Sequence, residues 1–353
     1  MTPAALLRAF DQELFGFLHR QDIRSGTFRD MIAWHMAWQS WDDRSEAVPN
    51  AGGKKVRPLL ALLAAQALAG DYRKAMPAAL AVQIVHDFSI VLDDIMDQDH
   101  IRRGRPTLWV RDGINRAMTA ATGLYIVGLD ALQDYPALGV APAQLRRLTR
   151  ILFSCCLEMH DAQFIDLNWE RQFDMTLDEV KQVALGRSAL IKCGAEVGAA
   201  VASEDEEVQA ALSAYGALLA TAYSIYDDQR GLWGVEADNG KPLCSDIRQR
   251  KKTYPIVAGH LRAGDAGRQR MIELFASPEI GNAEIDAVLT ILDETGASAL
   301  TLDEVARLGG QALDCLDRPA LAGFDMSPFV EVTHALLDGH VARRAAAEPW
   351  LGT

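Results

Sequence analysis

Val85-His86-Asp87-Phe88-Ser89-Ile90-Val91-Leu92-Asp93-Asp94-Ile95-Met96-Asp97 reads as an apolar helical run that closes on carboxylates. With 3.6 residues per turn, Asp93 and Asp97 share a face, while Asp94 is turned about 100° from Asp93. Carboxylates in apolar surroundings are costly unless a cation accompanies them. A pair aimed from such a helix therefore points to a hard metal ion, and Mg²⁺ commonly takes one or two carboxylates together with water and phosphate oxygens. The ordinary alternative, a solvated acidic face, fits poorly with so few other charges in the run. Arg102-Arg103-Gly104-Arg105-Pro106-Thr107 follows at once. Acid that holds metal beside base that holds anions is the pattern of a diphosphate site.

Two more segments extend the pattern. Ala222-Tyr223-Ser224-Ile225-Tyr226-Asp227-Asp228-Gln229-Arg230-Gly231 ends a second apolar helix on paired carboxylates, with Gly231 where a third would stand. Downstream lie Gly240-Lys241-Pro242 and Ser245-Asp246-Ile247-Arg248-Gln249-Arg250-Lys251-Lys252-Thr253-Tyr254-Pro255. Lysine offers phosphate a point charge, and arginine can grip it with two parallel hydrogen bonds. Upstream, Gly52-Gly53-Lys54-Lys55-Val56-Arg57-Pro58 puts Lys54 and Arg57 three apart at a helix start. There the dipole and the free N–H groups favour an anion.

The rest of the chain is punctuated as helices. Thr176-x-x-Glu179, Ser203-x-x-Glu206 and Thr301-x-x-Glu304 each read as a capping box opening a helix. Breaks are expected over 43–53, 104–113, 135–142, 231–245 and 277–282, and strand patterns are scarce. The expectation is an all-α fold: an N-terminal helical extension over 1–44 and one helical domain over 45–353.

A formal charge of −13 and a pI near 5.1 argue against nucleic acid or an anionic membrane surface as the main partner. Cys155, Cys156, Cys193, Cys244 and Cys315 form no CxxC pair, and an odd count fits a reducing cytoplasm. No targeting signal stands at the start, and the apolar stretch from Leu59 to Ala69 is too short to span a bilayer. A cytoplasmic protein without a transmembrane segment is expected.

Taken together, the segments resemble the trans-isoprenyl diphosphate synthases, or polyprenyl synthetases. Gly52 to Pro58 matches that family's GGKRxRP, with Lys55 for Arg. Asp93 to Asp97 matches its first Asp-rich motif and Asp227-Asp228 the start of its second. Gly240 to Pro255 follows GKxxGxDLxxGKxTLP, and Gln163 and Asp166 fit the helix between the two Asp motifs. The resemblance covers roughly residues 45 to 340, with four motifs in order.

It implies a helical bundle around a central active-site cavity, usually a homodimer, that condenses isopentenyl diphosphate head to tail with an allylic diphosphate. It implies Mg²⁺ at Asp93, Asp97 and Asp227, three ions with substrate bound, and catalytic roles for Asp94 and Asp228 beside them. Arg102, Arg187 and Lys251 would assist the allylic diphosphate. Lys54, Arg57, His86 and Arg103 would hold isopentenyl diphosphate, and Lys241 a diphosphate.

This chain also departs from the family pattern. The usual Phe-Gln before the second motif is Tyr223-Ser224, the usual Lys-Thr is Arg187-Ser188, and a usual Gly-Asp is Ala121-Thr122. Two other readings therefore stay open: a class I terpene cyclase on the same scaffold, and a non-catalytic partner subunit. Against them stand Lys54 and Arg57 for the first and the intact Asp93–Asp97 motif for the second. Family members set product length by side-chain bulk just before the first Asp motif. Phe88 five residues before Asp93, with small Ser89 beside it, resembles synthases that stop near twenty carbons, which makes geranylgeranyl diphosphate the expected product.

Overall fold

The computed structural model describes residues 1–46, 52–170, 172–234 and 243–337. Sixteen α-helices run through them. The first ten are α1 (Pro3–Arg20), α2 (Gly26–His35), α3 (Val56–Ala69), α4 (Met76–Met96), α5 (Leu108–Asp112), α6 (Ile114–Asp130), α7 (Pro142–Trp169), α8 (Leu177–Arg187), α9 (Ala189–Ala202) and α10 (Glu206–Trp233). The others are α11 (Ser245–Arg248), α12 (Tyr254–Arg262), α13 (Asp265–Ala276), α14 (Asn282–Glu294), α15 (Ala297–Leu316) and α16 (Ser327–Leu336). The all-α expectation holds.

α3, α4, α9 and α10 each bury more than half of their residues. α4 packs on α6 and α3, α3 on α9, and α10 on α9 and α15. The α3–α9 contact is close because Gly194 leaves room for it: a Cβ there would meet the Arg57 carbonyl oxygen at 2.2 Å. That approach fixes the start of α3, where Arg57 sits. Leu6, Phe10 and Leu14 of α1 belong to the same hydrophobic cluster as the central helices. A second cluster, with Ile256, Met271, Phe275 and Leu292, joins α11 through α14. The stretches Tyr72–Met96 and Glu206–Trp233 are long and apolar enough to cross a membrane, but 78% and 61% of their apolar windows are buried within the protein. Such burial is what core helices of a bundle show.

Local signals fared unevenly. Thr176 caps α8 as expected, its hydroxyl accepting from the Glu179 N–H while the Glu179 carboxylate accepts from the Thr176 N–H. At α10 the cap is Asp205 rather than Ser203. Its carboxylate accepts from the N–H groups of Glu207 and Val208, and a charged acceptor suits a helix start better than a hydroxyl. Thr301 opens nothing: it is buried inside α15 and donates to the Ala297 carbonyl one turn back. Two short antiparallel hairpins also form, β1 (Trp38–Ser40) with β2 (Asp43–Glu46), and β3 (Ile101–Arg102) with β4 (Arg105–Pro106). The second turns through Arg103 and Gly104, both at positive φ, the geometry of a two-residue hairpin loop.

Candidate active site

α4 ends at Met96, and its last turn closes on three carboxylates. Gln98, at φ 55°, takes the left-handed position after the helix. The Gln98 N–H donates to the Ile95 carbonyl and the Asp99 N–H to the Asp94 carbonyl, the paired bonds of a Schellman turn. That turn swings Asp99 back beneath the helix end. One oxygen each from Asp93, Asp97 and Asp99 then lies within 4.8 Å of the others. An oxygen-only set of this density suits a hard cation such as Mg²⁺. Among the described residues it is Asp99 that joins Asp93 and Asp97, while Asp227 is exposed on α10 outside the group.

The β3–β4 hairpin supplies the facing charge. Arg102 Nη2 donates to Asp93 (3.0 Å) and Asp99 (3.4 Å), and Arg102 Nε donates to the buried Asp94. Burial alone would lower the Arg102 pKa, but Asp94 and Asp93 outweigh it and raise it. From the other side Lys251 donates to Asp97, and Gln249 Nε2 donates to the Asp97 carbonyl (2.9 Å) and to Asp99 Oδ1 (3.2 Å). Burial opposes the Lys251 charge, yet Asp93, Asp97, Asp246 and Asp166 raise its pKa. At the second motif Arg187 Nη2 donates to Asp228 at 2.8 Å. Burial pushes Asp228 up, with Arg187 working against it. Asp166 of α7 and Asp246 of α11 act on both Lys251 and Arg187, so the two motifs face one field of charge. A cleft of about 260 Å³ opens here, lined by Asp97, Gln163, Asp166, Glu170, Gln249 and Lys251 among others.

A second cationic group lies beside the first. Gly53, in the loop before α3, lies so close to Arg103 that a Cβ would stand 2.6 Å from its Nη2. Burial lowers Arg57 to about 10, with Tyr223, Asp87 and Asp227 holding it up and Arg103 pressing it down. Burial lowers Arg103 too, and Arg102 adds to the effect. His86 on α4 is pushed well below its usual range by burial and by Arg57, Arg103 and Arg102, so it is neutral at neutral pH. Burial also raises Tyr223, to about 12, with the Asp227 carboxylate adding to it. Arg57 Nε and Arg187 Nε are buried donors without a hydrogen-bond partner among the described residues, donors that a phosphate oxygen would satisfy.

Lys54 is half-buried in the loop before α3. The neighbouring Lys55 turns away to Asp11 on α1 at 2.7 Å. Lys241 lies outside the described residues. Phe88 is buried, its ring 4.8 Å from that of Tyr125 and 6.2 Å from that of His160. The Ser89 hydroxyl donates to the His86 carbonyl. Asp99, Gln249 and Asp87 were not singled out from the sequence, and Tyr223 appeared there only as a departure from the family pattern. Asp99 alone had a signal, a fourth acid two positions past Asp97, hidden because it is off the helix face.

The fold and the site together define an all-helical enzyme with one acid-lined end and two cationic groups suited to diphosphates. A polyprenyl synthetase family model matches residues 40–292. A (2E,6E)-farnesyl diphosphate synthase of Mycobacterium tuberculosis is 33% identical over 316 residues, 88% of this chain and 86% of that one. A geranylgeranyl diphosphate synthase of the same organism is 34% identical over 300 residues, 84% and 81% of the two chains. The crystal structure of a polyprenyl synthetase from Streptomyces coelicolor A3(2), 28% identical, matches with a TM-score of 0.79 over 95% of this chain and 97% of that one. The chain belongs to the polyprenyl synthetase family, and it is a prenyltransferase of isoprenoid biosynthesis.

Proposed function

We propose that the protein condenses isopentenyl diphosphate with an allylic diphosphate and releases mainly geranylgeranyl diphosphate. The observation that carries the condensation is the pair of adjacent cationic groups, one interlocked with the Asp93–Asp97–Asp99 end and one built on Arg57, His86 and Arg103. A reaction that joins two diphosphates needs both.

In this reading Asp93, Asp97 and Asp227 would hold Mg²⁺, three ions with substrate bound, with Asp99 as a further ligand. The metal supplies positive charge against the diphosphate that leaves the allylic carbon. Arg102, Arg187 and Lys251 steady the same group from the protein side, where a preorganised cation needs no reorganisation. Asp94 and Asp228 hold Arg102 and Arg187 in place. Lys54, Arg57, His86 and Arg103 hold isopentenyl diphosphate, and Lys241 is assigned to a diphosphate from its place in the sequence. As the allylic C–O bond breaks, the isopentenyl double bond forms the new C–C bond, and the departed diphosphate takes the proton that the adduct loses.

The product assignment rests on the bulk of Phe88, whose ring packs on Tyr125; helical phase alone does not name it as the stop, because Ser89 lies nearer the Asp93 face than Phe88 does. Phe88→Ala is expected to lengthen the product by at least one five-carbon unit, read by chromatography after phosphatase; an unchanged profile excludes Phe88 as the stop. The reaction itself is tested with purified protein, Mg²⁺ and farnesyl diphosphate, with and without isopentenyl diphosphate. Longer diphosphates only with both substrates support the reading, and hydrocarbons from the allylic substrate alone would overturn it. A homodimer is also proposed, through exposed apolar residues of α6 and α7.

A further inference from the structure

Residues 249–252 run between α11 and α12 as a strap whose side chains alternate. Gln249 and Lys251 face the first Asp cluster. Arg250 and Lys252 turn to the opposite side. Arg250 donates to the carbonyls of Phe275, Ser277 and Pro278. Lys252 is only 2% exposed. Its Nζ donates to the Glu170 carbonyl at 2.9 Å and to the Arg250 carbonyl at 2.7 Å. The same atom lies 4.4 Å from the ring centroid of Phe275 and 4.7 Å from that of Phe173, and those rings meet edge to face.

Burial pushes the Lys252 pKa down to about 7, with Asp166 and Glu170 pulling it up and Arg250 pressing it further down. Two carbonyls and two aromatic faces supply the attraction that lost water no longer gives, and such contacts are strongest when desolvated. The proposed chemistry leaves this ammonium without a task. Arg250 and Lys252 instead tie the strap to α13 and to the end of α7.

We infer that Lys252 is a positioning residue: its caged Nζ, bonded to two carbonyls, fixes the backbone from which Lys251 reaches Asp97 and the allylic diphosphate. The inference rests on the reading of Lys251 given above. A buried lysine that only filled space would be replaceable by an apolar chain of equal length; one that sets the strap would not be.

The test compares Lys252→Met, Lys252→Arg and Lys251→Met in steady-state assays varying each substrate, with melting temperature measured alongside. Lys252→Met should raise KM for the allylic diphosphate and lower kcat, each by roughly ten-fold, and leave KM for isopentenyl diphosphate within about two-fold. Lys252→Arg should restore most of the loss, because a guanidinium can donate to both carbonyls and stack on the rings. If Lys252→Met does not fold, Phe275→Leu removes one ring face and should give the same split in smaller measure. A folded Lys252→Met with unchanged constants, or with equal losses for both substrates, would overturn the inference. Lys251→Met without effect would instead sink the role of Lys251 itself.

Discussion

Asp93 shares the Arg102 guanidinium with Asp94 and Asp99, so the protein itself balances part of its charge. Asp93→Ala therefore removes a proposed metal ligand while leaving Arg102 two carboxylates, and the fold is expected to survive. Turnover should fall by roughly 10²- to 10³-fold or more, since charge developing on the leaving diphosphate loses its main stabiliser. Asp227→Ala should do the same from the opposite helix. Circular dichroism should be unchanged in both, and turnover within a few-fold of wild type would remove these residues from the mechanism. Chelation by EDTA should stop the wild-type reaction, and excess Mg²⁺ should restore it. The sequence showed Asp93 and Asp97 because four-residue spacing is a helical repeat. It did not show Asp99, which arrives by a turn instead of by helical phase.

That turn belongs to the next scale up. Both acid–base loops of the site end short of glycine where a left-handed residue is needed. After α4 the position is Gln98; after α11 it is Arg250, and the Arg250 N–H and Lys251 N–H close the matching bonds to the carbonyls of Ile247 and Asp246. Cys244 before α11 is also left-handed. The family pattern GKxxGxDLxxGKxTLP places glycines where Cys244 and Arg250 stand. Helix stops are read from glycine, so these were not legible, although the apolar periodicity that made every long core helix was. The Thr301 box misled for the converse reason, since its cap residues lie inside a helix already begun at Ala297. Gln98 is exposed, and as a non-glycine residue at φ 55° it carries left-handed strain. Gln98→Gly should then stabilise the protein by about 0.5 to 1 kcal/mol, read by urea unfolding, with turnover near wild type. A loss of stability would mean that the Gln98 side chain contributes more than its backbone costs.

For the whole molecule, the outer faces of α6 and α7 remain to be accounted for. Ile114, Met118 and Ile126 of α6 and Phe153, Leu157 and Phe164 of α7 are all at least 43% exposed. The three on α7 fall on one narrow stripe at helical spacing. Scattered apolar residues on a surface are ordinary, but a continuous stripe along a helix of this length is costly to leave in water. The same α7 carries Gln163 and Asp166 into the cleft, so a partner seated on the stripe would also brace one wall of the active site. If the stripe is the homodimer interface, the wild-type protein should scatter light as twice its 38.6 kDa chain. Leu157→Glu, which puts a charge at its middle without touching the core, should scatter as one chain. The helical content of that variant should hold, and its turnover should fall because α7 is no longer braced. A Leu157→Glu protein that still runs at the dimer mass would show that the two copies, if they pair, meet elsewhere.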